Sequence, residues 1–226
     1  MKSKSIIYIL QGYIQKRAII FYTIILMMHL VGMLGLWSSA SRDLFETLTP
    51  FNLIVSVLLL FCFHKDYSTH FLVFILFTFS AGFFVEVLGV NTNLIFGNYS
   101  YGQTLGIKLW ETPLLIGINW VVLVYINNYF IHKYVSSYNL IKAFLGATAM
   151  VLLDYLIEPI AIRHDFWSWA NGYIPLQNYI GWFVVSFLLS LFYHQSKFDK
   201  QNNFALVLLF AQLIFFGGYN ILLSIQ

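Results

Sequence analysis

Residues 139–194 read NLIKAFLGATAMVLLDYLIEPIAIRHDFWSWANGYIPLQNYIGWFVVSFLLSLFYH. Two apolar runs, 139–158 and 178–194, flank an island that holds Pro159, Arg163, His164, Asp165, Trp167, Trp169 and Pro175. About 20 apolar residues cross roughly 30 Å of hydrocarbon, so the flanking runs are of membrane-spanning size and the island lies between two spans. Five more runs follow the same rule outward from this pair, at residues 18–37, 48–63, 70–90, 113–131 and 204–223. Pro50 leaves the start of the 48–63 run the least defined. Residues 6–14 are too few to span and belong at the interface.

Composition agrees with that reading. The chain is 60% hydrophobic, 19% aromatic and 9% charged, with a mean hydropathy of +0.77, whereas a soluble domain carries about 25% charged residues. The sequence predicts an all-α, polytopic membrane helix bundle of about seven spans, in one domain over residues 1–226. It has no linker, repeat or low-complexity tract. The apolar run before Ser38-Ser39-Ala40 is long for a signal peptide and reads as a retained first span. The basic residues are scattered rather than gathered in a patch, which argues against a nucleic-acid partner. Cys62 is the single cysteine, so no internal disulfide and no cysteine-cluster metal site can form; it reads as lipid-facing or packed filler.

Lys and Arg set the orientation. A cytoplasmic N-terminus puts Lys2, Lys4, Lys16, Arg17, Lys65, Lys133, Lys142, Lys197 and Lys200 inside and leaves Arg42, Lys108 and Arg163 outside. The expected placement is multi-pass in the cell's inner (plasma) membrane, with the C-terminus outside. On that topology Glu86 and Asp154 lie about 16 and 15 residues into outward-running spans, roughly 22–24 Å from the cytoplasmic side. Asn119 lies about six residues down an inward-running span, roughly 9 Å below the outer side. These groups share one level in the outer third, and the cytoplasmic half shows no comparable set.

Asp154 and Glu158 are four apart and share a helix face. Pro159 disfavours the α conformation at Glu158, so the span is expected to end there. A carboxyl group at the negative helix end, beside another carboxyl and poorly solvated, is favoured in its neutral form, as a general acid requires. The structural alternative is an ion pair with Arg163 or Lys108 that fixes helix ends. Glu86 sits in GFFVEVLG, where Gly82 and Gly89 would admit a close neighbour; its structural alternative is a hydrogen bond to Asn119 or Tyr125. Between the spans, Gly97, Gly102 and Gly106 with Asn91, Asn93 and Asn98 mark an ordered, turn-rich loop. Tyr99, Tyr101, Trp110, Trp167, Trp169 and Trp182 read either as an interfacial belt or as aromatic faces over a pocket.

Of the six histidines, His64, His70, His132 and His194 read as solvated inner flanks, His29 as a hydrogen-bonded core residue, and His164 falls in the outer island. None forms an H-x-x-H or H-x-x-x-H pair, the clustering that membrane iron enzymes need. No glycine-rich phosphate loop is present, and the last span has no lysine for a retinal Schiff base.

The chain resembles the carotenoid biosynthesis membrane-protein family that includes carotenoid 1,2-hydratases of the bisanhydrobacterioruberin and γ-carotene type. EVLG at 86–89, FGNYSYGQTLG at 96–106, PLLIGINW at 113–120, DYLIEPIA at 154–161, WSW at 167–169 and IPLQNYIGW at 174–182 carry the resemblance, in matching order over roughly residues 70–195. Arg163-His164-Asp165 is more charged than that pattern. The resemblance implies addition of water to the terminal C1=C2 double bond of an acyclic carotenoid end group, with neither metal nor other cofactor. Protonation at C2 would give a tertiary cation at C1, stabilised by aromatic faces and captured by water. Asp154 or Glu158 is then the acid and Glu86 its partner or the water-orienting base. Asn119 and Asn178 position water, and Trp120, Trp167, Trp182 and Tyr101 line the substrate pocket. The implied partners are membrane lipid, the carotenoid and other enzymes of its pathway. A carotenoid cyclase would use the same acid, and a lipophilic-ligand carrier is the non-enzymatic alternative. A prenyltransferase would need paired Asp-rich motifs for Mg²⁺-diphosphate, and only one D-x-x-x-E is present.

Overall fold

The computed structural model describes residues 11–225. Its seven long apolar helices are α1 (Ala18–Trp37), α2 (Arg42–Cys62), α3 (Thr69–Thr92), α4 (Leu114–Tyr134), α5 (Asn139–Arg163), α6 (Leu176–Gln195) and α7 (Asn203–Ser224). Each is long and apolar enough to cross a membrane, and the chain is a multi-pass, all-α membrane bundle. Residues 11–16 are helical; the rest of the expected interfacial segment, and Lys2 and Lys4, lie outside the described residues.

α4 is the most buried span and touches α2, α3, α5, α6 and α7. Lipid supplies no hydrophobic drive between helices, so close approach rests on small residues and side-chain fit. α3 and α4 show this reciprocally. A methyl group at Gly82 would lie 2.5 Å from Trp120 Cβ, and one at Gly117 would lie 2.7 Å from the Phe79 ring. Each helix therefore offers a glycine where the other presents an aromatic ring, and α3 seats Glu86 one turn from that contact.

Two helix boundaries differ from the sequence reading. α2 begins at Arg42 rather than near residue 48, and Pro50 lies inside it. Its extra turns are held by Phe45, whose ring occupies the place a Gly35 side chain would take, and Asp43 suits the positive N-terminal end. α5 likewise runs through Pro159 to Arg163, so Glu158 is not at a helix end and the dipole argument for it does not apply. Proline inside a membrane helix is tolerated where neighbours satisfy the disturbed backbone. Here Asn220 of α7 donates to Leu156 O at 2.8 Å, next to the Tyr155 carbonyl that Pro159 leaves without its helical donor, and His164 N–H and Phe166 N–H close the final turn on Ile160 O and Ala161 O.

The α3–α4 and α5–α6 connections carry short strands: β1 (Tyr99–Tyr101), β2 (Lys108–Leu109), β3 (Thr112–Pro113) and β4 (Trp167–Trp169). β2 and β3 form a hairpin. β1 and β4 come from different connections and pair antiparallel, with Tyr99 opposite Trp169 and Tyr101 opposite Trp167. Strand alternation sends successive side chains to opposite faces; the two Tyr and two Trp are buried, while Ser100 and Ser168 are exposed. The loops touch at Gly102, where a Cβ would lie 2.0 Å from Asp165 O. Gly102 N–H to Phe166 O (3.0 Å), Gln103 N–H to Asp165 Oδ2 (2.9 Å) and Thr104 Oγ1 to His164 O (2.8 Å) continue the seam. The Arg163-His164-Asp165 run is thus built into the join between lid and helices.

Candidate active site

Beneath the β1–β4 lid, α3 and α5 bring Glu86, Asp154 and Glu158 to one level, all three buried. Glu86 receives donors from two sides. Tyr99 Oη and Tyr101 Oη donate to its Oε2 at 2.5 and 2.8 Å, and Trp120 Nε1 donates to Oε1 at 3.0 Å. Burial, followed by the adjacent Glu86, holds the Tyr99 and Tyr101 hydroxyls well above their ordinary range, so both remain donors. Across the site, Trp167 Nε1 and Trp169 Nε1 donate to Glu158 Oε2 at 3.0 and 2.9 Å. Asn178 Nδ2 donates to Asp154 Oδ2 at 2.9 Å and to Glu158 Oε1 at 3.3 Å, tying the two α5 carboxyl groups to α6.

A carboxylate offers about four lone-pair positions, so three donors on Glu86 and three on Glu158 leave each about one position for another partner. Between them lies a cavity of about 20 Å³, lined by both carboxyl groups together with Tyr99, Tyr101, Asn119 and Asn178 among others. About 10–15 Å³ of such space holds one water. Trp120 and Trp182 stack beside it, centroids 4.5 Å apart. Asp154 does not line this space and stands behind Glu158.

A second cavity, of about 300 Å³, lies between α1, α2, α4, α5 and α7 and is largely apolar. The two cavities share Ile116, Asn119 and Trp167 in their walls. Val31, Leu48 and Phe51 line the larger one and are exposed on the bundle surface, so it opens sideways between α1 and α2. The arrangement is an apolar cavity, open to the side, that adjoins two carboxyl groups and room for one water.

The structure brings together all nine residues singled out in the sequence, with Asp154 one layer behind the other eight. The alternatives offered for Glu86, and the ion pair to Lys108, are not what it shows. Glu86 bonds neither Asn119 nor Tyr125: Asn119 faces both cavities, and Tyr125 Oη pairs with His64 Nδ1 at 2.8 Å. Lys108 Nζ donates to Tyr101 O at 2.6 Å, and the partners of Glu158 are indoles and an amide. Gly82 and Gly89 do admit neighbours as expected, Trp120 and Phe96 respectively. Tyr99 and Trp169 are the donors that sequence reasoning left among the belt-or-lid aromatics. Their signal was the alternation in YSY and WSW, a period of two in a chain otherwise read at helical period.

Two histidine readings are corrected. His64 is fully buried rather than solvated, because the loop from α2 to α3 folds it under Phe71, ring centroids 3.6 Å apart. His194 is also buried, 7% exposed, on the face α6 turns to the core. His70 and His132 are exposed, and His29 is a core residue bonded to Ile25 O at 2.9 Å, both as expected.

A family model described as carotenoid biosynthesis protein matches residues 47–226. The chain belongs to that family, and the match takes in every helix that contributes to the carboxyl centre. It is also 24% identical over 158 residues to bisanhydrobacterioruberin hydratase of Haloarcula japonica, an alignment covering 61% of this chain and 52% of the relative. The chain thus spans about half the length of the curated relative it matches. No solved structure matches it.

Proposed function

We propose that the protein is a carotenoid hydratase that adds water across the terminal C1=C2 double bond of an acyclic carotenoid end group. The observation that carries this reading is the one-water cavity between Glu86 and Glu158 at the end of a lipid-facing apolar cavity. The end group enters between α1 and α2 and passes Asn119 and Trp167 to reach the carboxyl groups. Glu158, which faces the cavity, protonates C2. The tertiary cation at C1 is stabilised by the stacked Trp120 and Trp182 and by the lid tryptophans. The water held against Glu86 attacks C1 and gives its proton to Glu86, which returns it across the cavity to Glu158 through the next water. The sum is alkene plus water to tertiary alcohol, with no net change in the enzyme. Asp154 and Asn178 orient Glu158 and modulate its charge.

Room for water beside the reacting carbon favours hydration over cyclisation, which would require an internal alkene there instead. The test is to express the chain in a lycopene-producing bacterium and weigh the pigments. A gain of one water mass, lost on Glu158→Gln, is the expected result. Unchanged mass with altered absorption would assign cyclisation, and undiminished hydrated product in Glu158→Gln, Asp154→Asn and Glu86→Gln alike would remove the carboxyl groups from the mechanism. The cell's inner membrane is the proposed location.

A further inference from the structure

On α6, Asn178, Trp182, Ser186, Ser190 and His194 recur at every fourth position, and all five are buried. Each is the i+4 neighbour of the one before, about 6 Å further along the axis, so the five form a ridge that winds about 40° around the helix per step. The ridge meets α5 where Ala143, Gly146 and Ala147 are buried. A methyl group at Gly146 would lie 2.3 Å from Asn128 Oδ1 and 3.0 Å from Ser190 Oγ, so this glycine makes space for polar groups rather than for a ring. Asn128 Nδ2 donates to Ser190 Oγ at 2.8 Å.

Several polar atoms along this seam have no hydrogen-bond partner among the described residues: His194 Nδ1 and Nε2, Asn128 Oδ1, Ser186 Oγ and Asp154 Oδ1. His194 is 7% exposed and the other three are fully buried. Buried polar groups without a protein partner are the sites that internal water occupies. Their heights are regular. Gly146 is level with Ser190; Asp154 lies eight residues further along α5, about 12 Å higher, and Ser186 about 6 Å higher along α6. Ser186 therefore stands midway between the Ser190 level and Asp154. A step of about 6 Å is what one water spans with two hydrogen bonds of about 2.8 Å each. At the far end the ring of His132, which is exposed, lies 6.3 Å from that of His194, at the membrane face that carries Lys133 and Lys197.

We propose that the α5–α6 seam is a single-file water path from the lysine-rich face to the carboxyl pair. It rests on the hydration reading in one respect: each turnover consumes one water and no net proton, so the centre needs a supply of water. The other approaches are poorly suited to it. The large cavity is mostly apolar, and the lid presents aromatic rings whose polar tips are engaged by Glu86 and Glu158.

The test replaces Cys62 with Ser and introduces Ser186→Cys or Ser190→Cys, with Leu189→Cys, buried on the same helix, as the dry control. Silver ion is the probe, added to oriented proteoliposomes from one side at a time. Solvated thiols ionise and react, so both seam cysteines are expected to react at least about tenfold faster than Leu189→Cys, and from the lysine-rich side. Equal rates, or faster reaction from the lid side, would overturn the path. Ser186→Val is expected to lower kcat about tenfold with KM for the carotenoid unchanged, and Ser186→Thr, which keeps the hydroxyl, to restore it; full kcat in Ser186→Val would also count against it. Silver reactivity is independent of activity: unreactive seam cysteines beside an inactive Glu158→Gln sink the path alone, whereas reactive ones beside a fully active Glu158→Gln sink the hydration reading alone.

Discussion

The bundle buries polar clusters at both ends, and they differ in what they leave open. At the lysine-rich face, His64 Nε2 donates to Asp66 O at 2.7 Å while its Nδ1 accepts from Tyr125 Oη at 2.8 Å. Asp66 in turn accepts from Ser68 N–H at 2.9 Å and from Asp199 N–H at 2.8 Å, and Gln11 Nε2 donates to His64 O at 2.7 Å. Both ring nitrogens of His64 have partners, and neither cavity described above reaches this cluster. Under the lid, by contrast, Glu86 and Glu158 keep lone pairs facing a space the size of a water, and Asp154 Oδ1 has no partner among the described residues. Burial of polar groups alone does not separate a staple from a candidate active site; unused hydrogen-bonding capacity beside a cavity does.

That contrast can be broken by substitution. Glu158→Gln should lower hydrated product at least about 100-fold, as loss of a general acid does, with the thermal midpoint in detergent little changed. Asp154→Asn should cost about tenfold, because Asp154 acts through Glu158; equal losses would erase the distinction between the group that faces the cavity and the one behind it. Glu86→Gln should fall between the two, since an amide has a single acceptor oxygen for three donors.

The staple end responds to pH instead. Burial first of all pushes His64 down to about 4 from its ordinary 6.5. A histidine held neutral in the fold stabilises it fully above the ordinary value, and that stability is lost as pH falls from about 6.5 to about 4. The loss across that window is about 3 kcal/mol. Thermal midpoints should fall accordingly, and His64→Gln should flatten the profile without altering product formation per folded molecule at neutral pH. Activity tracking the His64 titration in fully folded protein would join the two regions that the structure keeps apart. The smallest effect expected is that of Trp169→Phe, which removes one of two indole donors to Glu158 Oε2 and is worth about 1 kcal/mol, a several-fold loss of activity.

Much of this architecture is legible in the chain because spans are local. Runs of about 20 apolar residues declare themselves, and counting 1.5 Å per residue already puts Glu86, Asp154 and Asn119 at one level. Pro159 misleads because the amide that braces its turn, Asn220 on Leu156 O, comes from α7, 61 positions downstream by residue number. The β1–β4 pairing escapes for the same reason: YSY and WSW each show alternation, but nothing local says that they face one another. His64 looks like a solvated flank because its neighbours are Lys65 and Asp66; its burial depends on Phe71, Tyr125 and Phe198, supplied from three other parts of the chain.

The lid also sets the order in which the protein can be completed. Ser100 and Ser168, which face each other across β1 and β4, are 68 positions apart. At about 5–20 residues per second, the second strand leaves the ribosome roughly 3–14 s after the first. By the end of that interval α1–α4 have been made, with Tyr99, Tyr101 and Trp120 available to Glu86, while Glu158 arrives ahead of its two indoles. Closure of the roof is therefore a late event, and the centre is complete only once α6 has followed with Asn178 and Trp182.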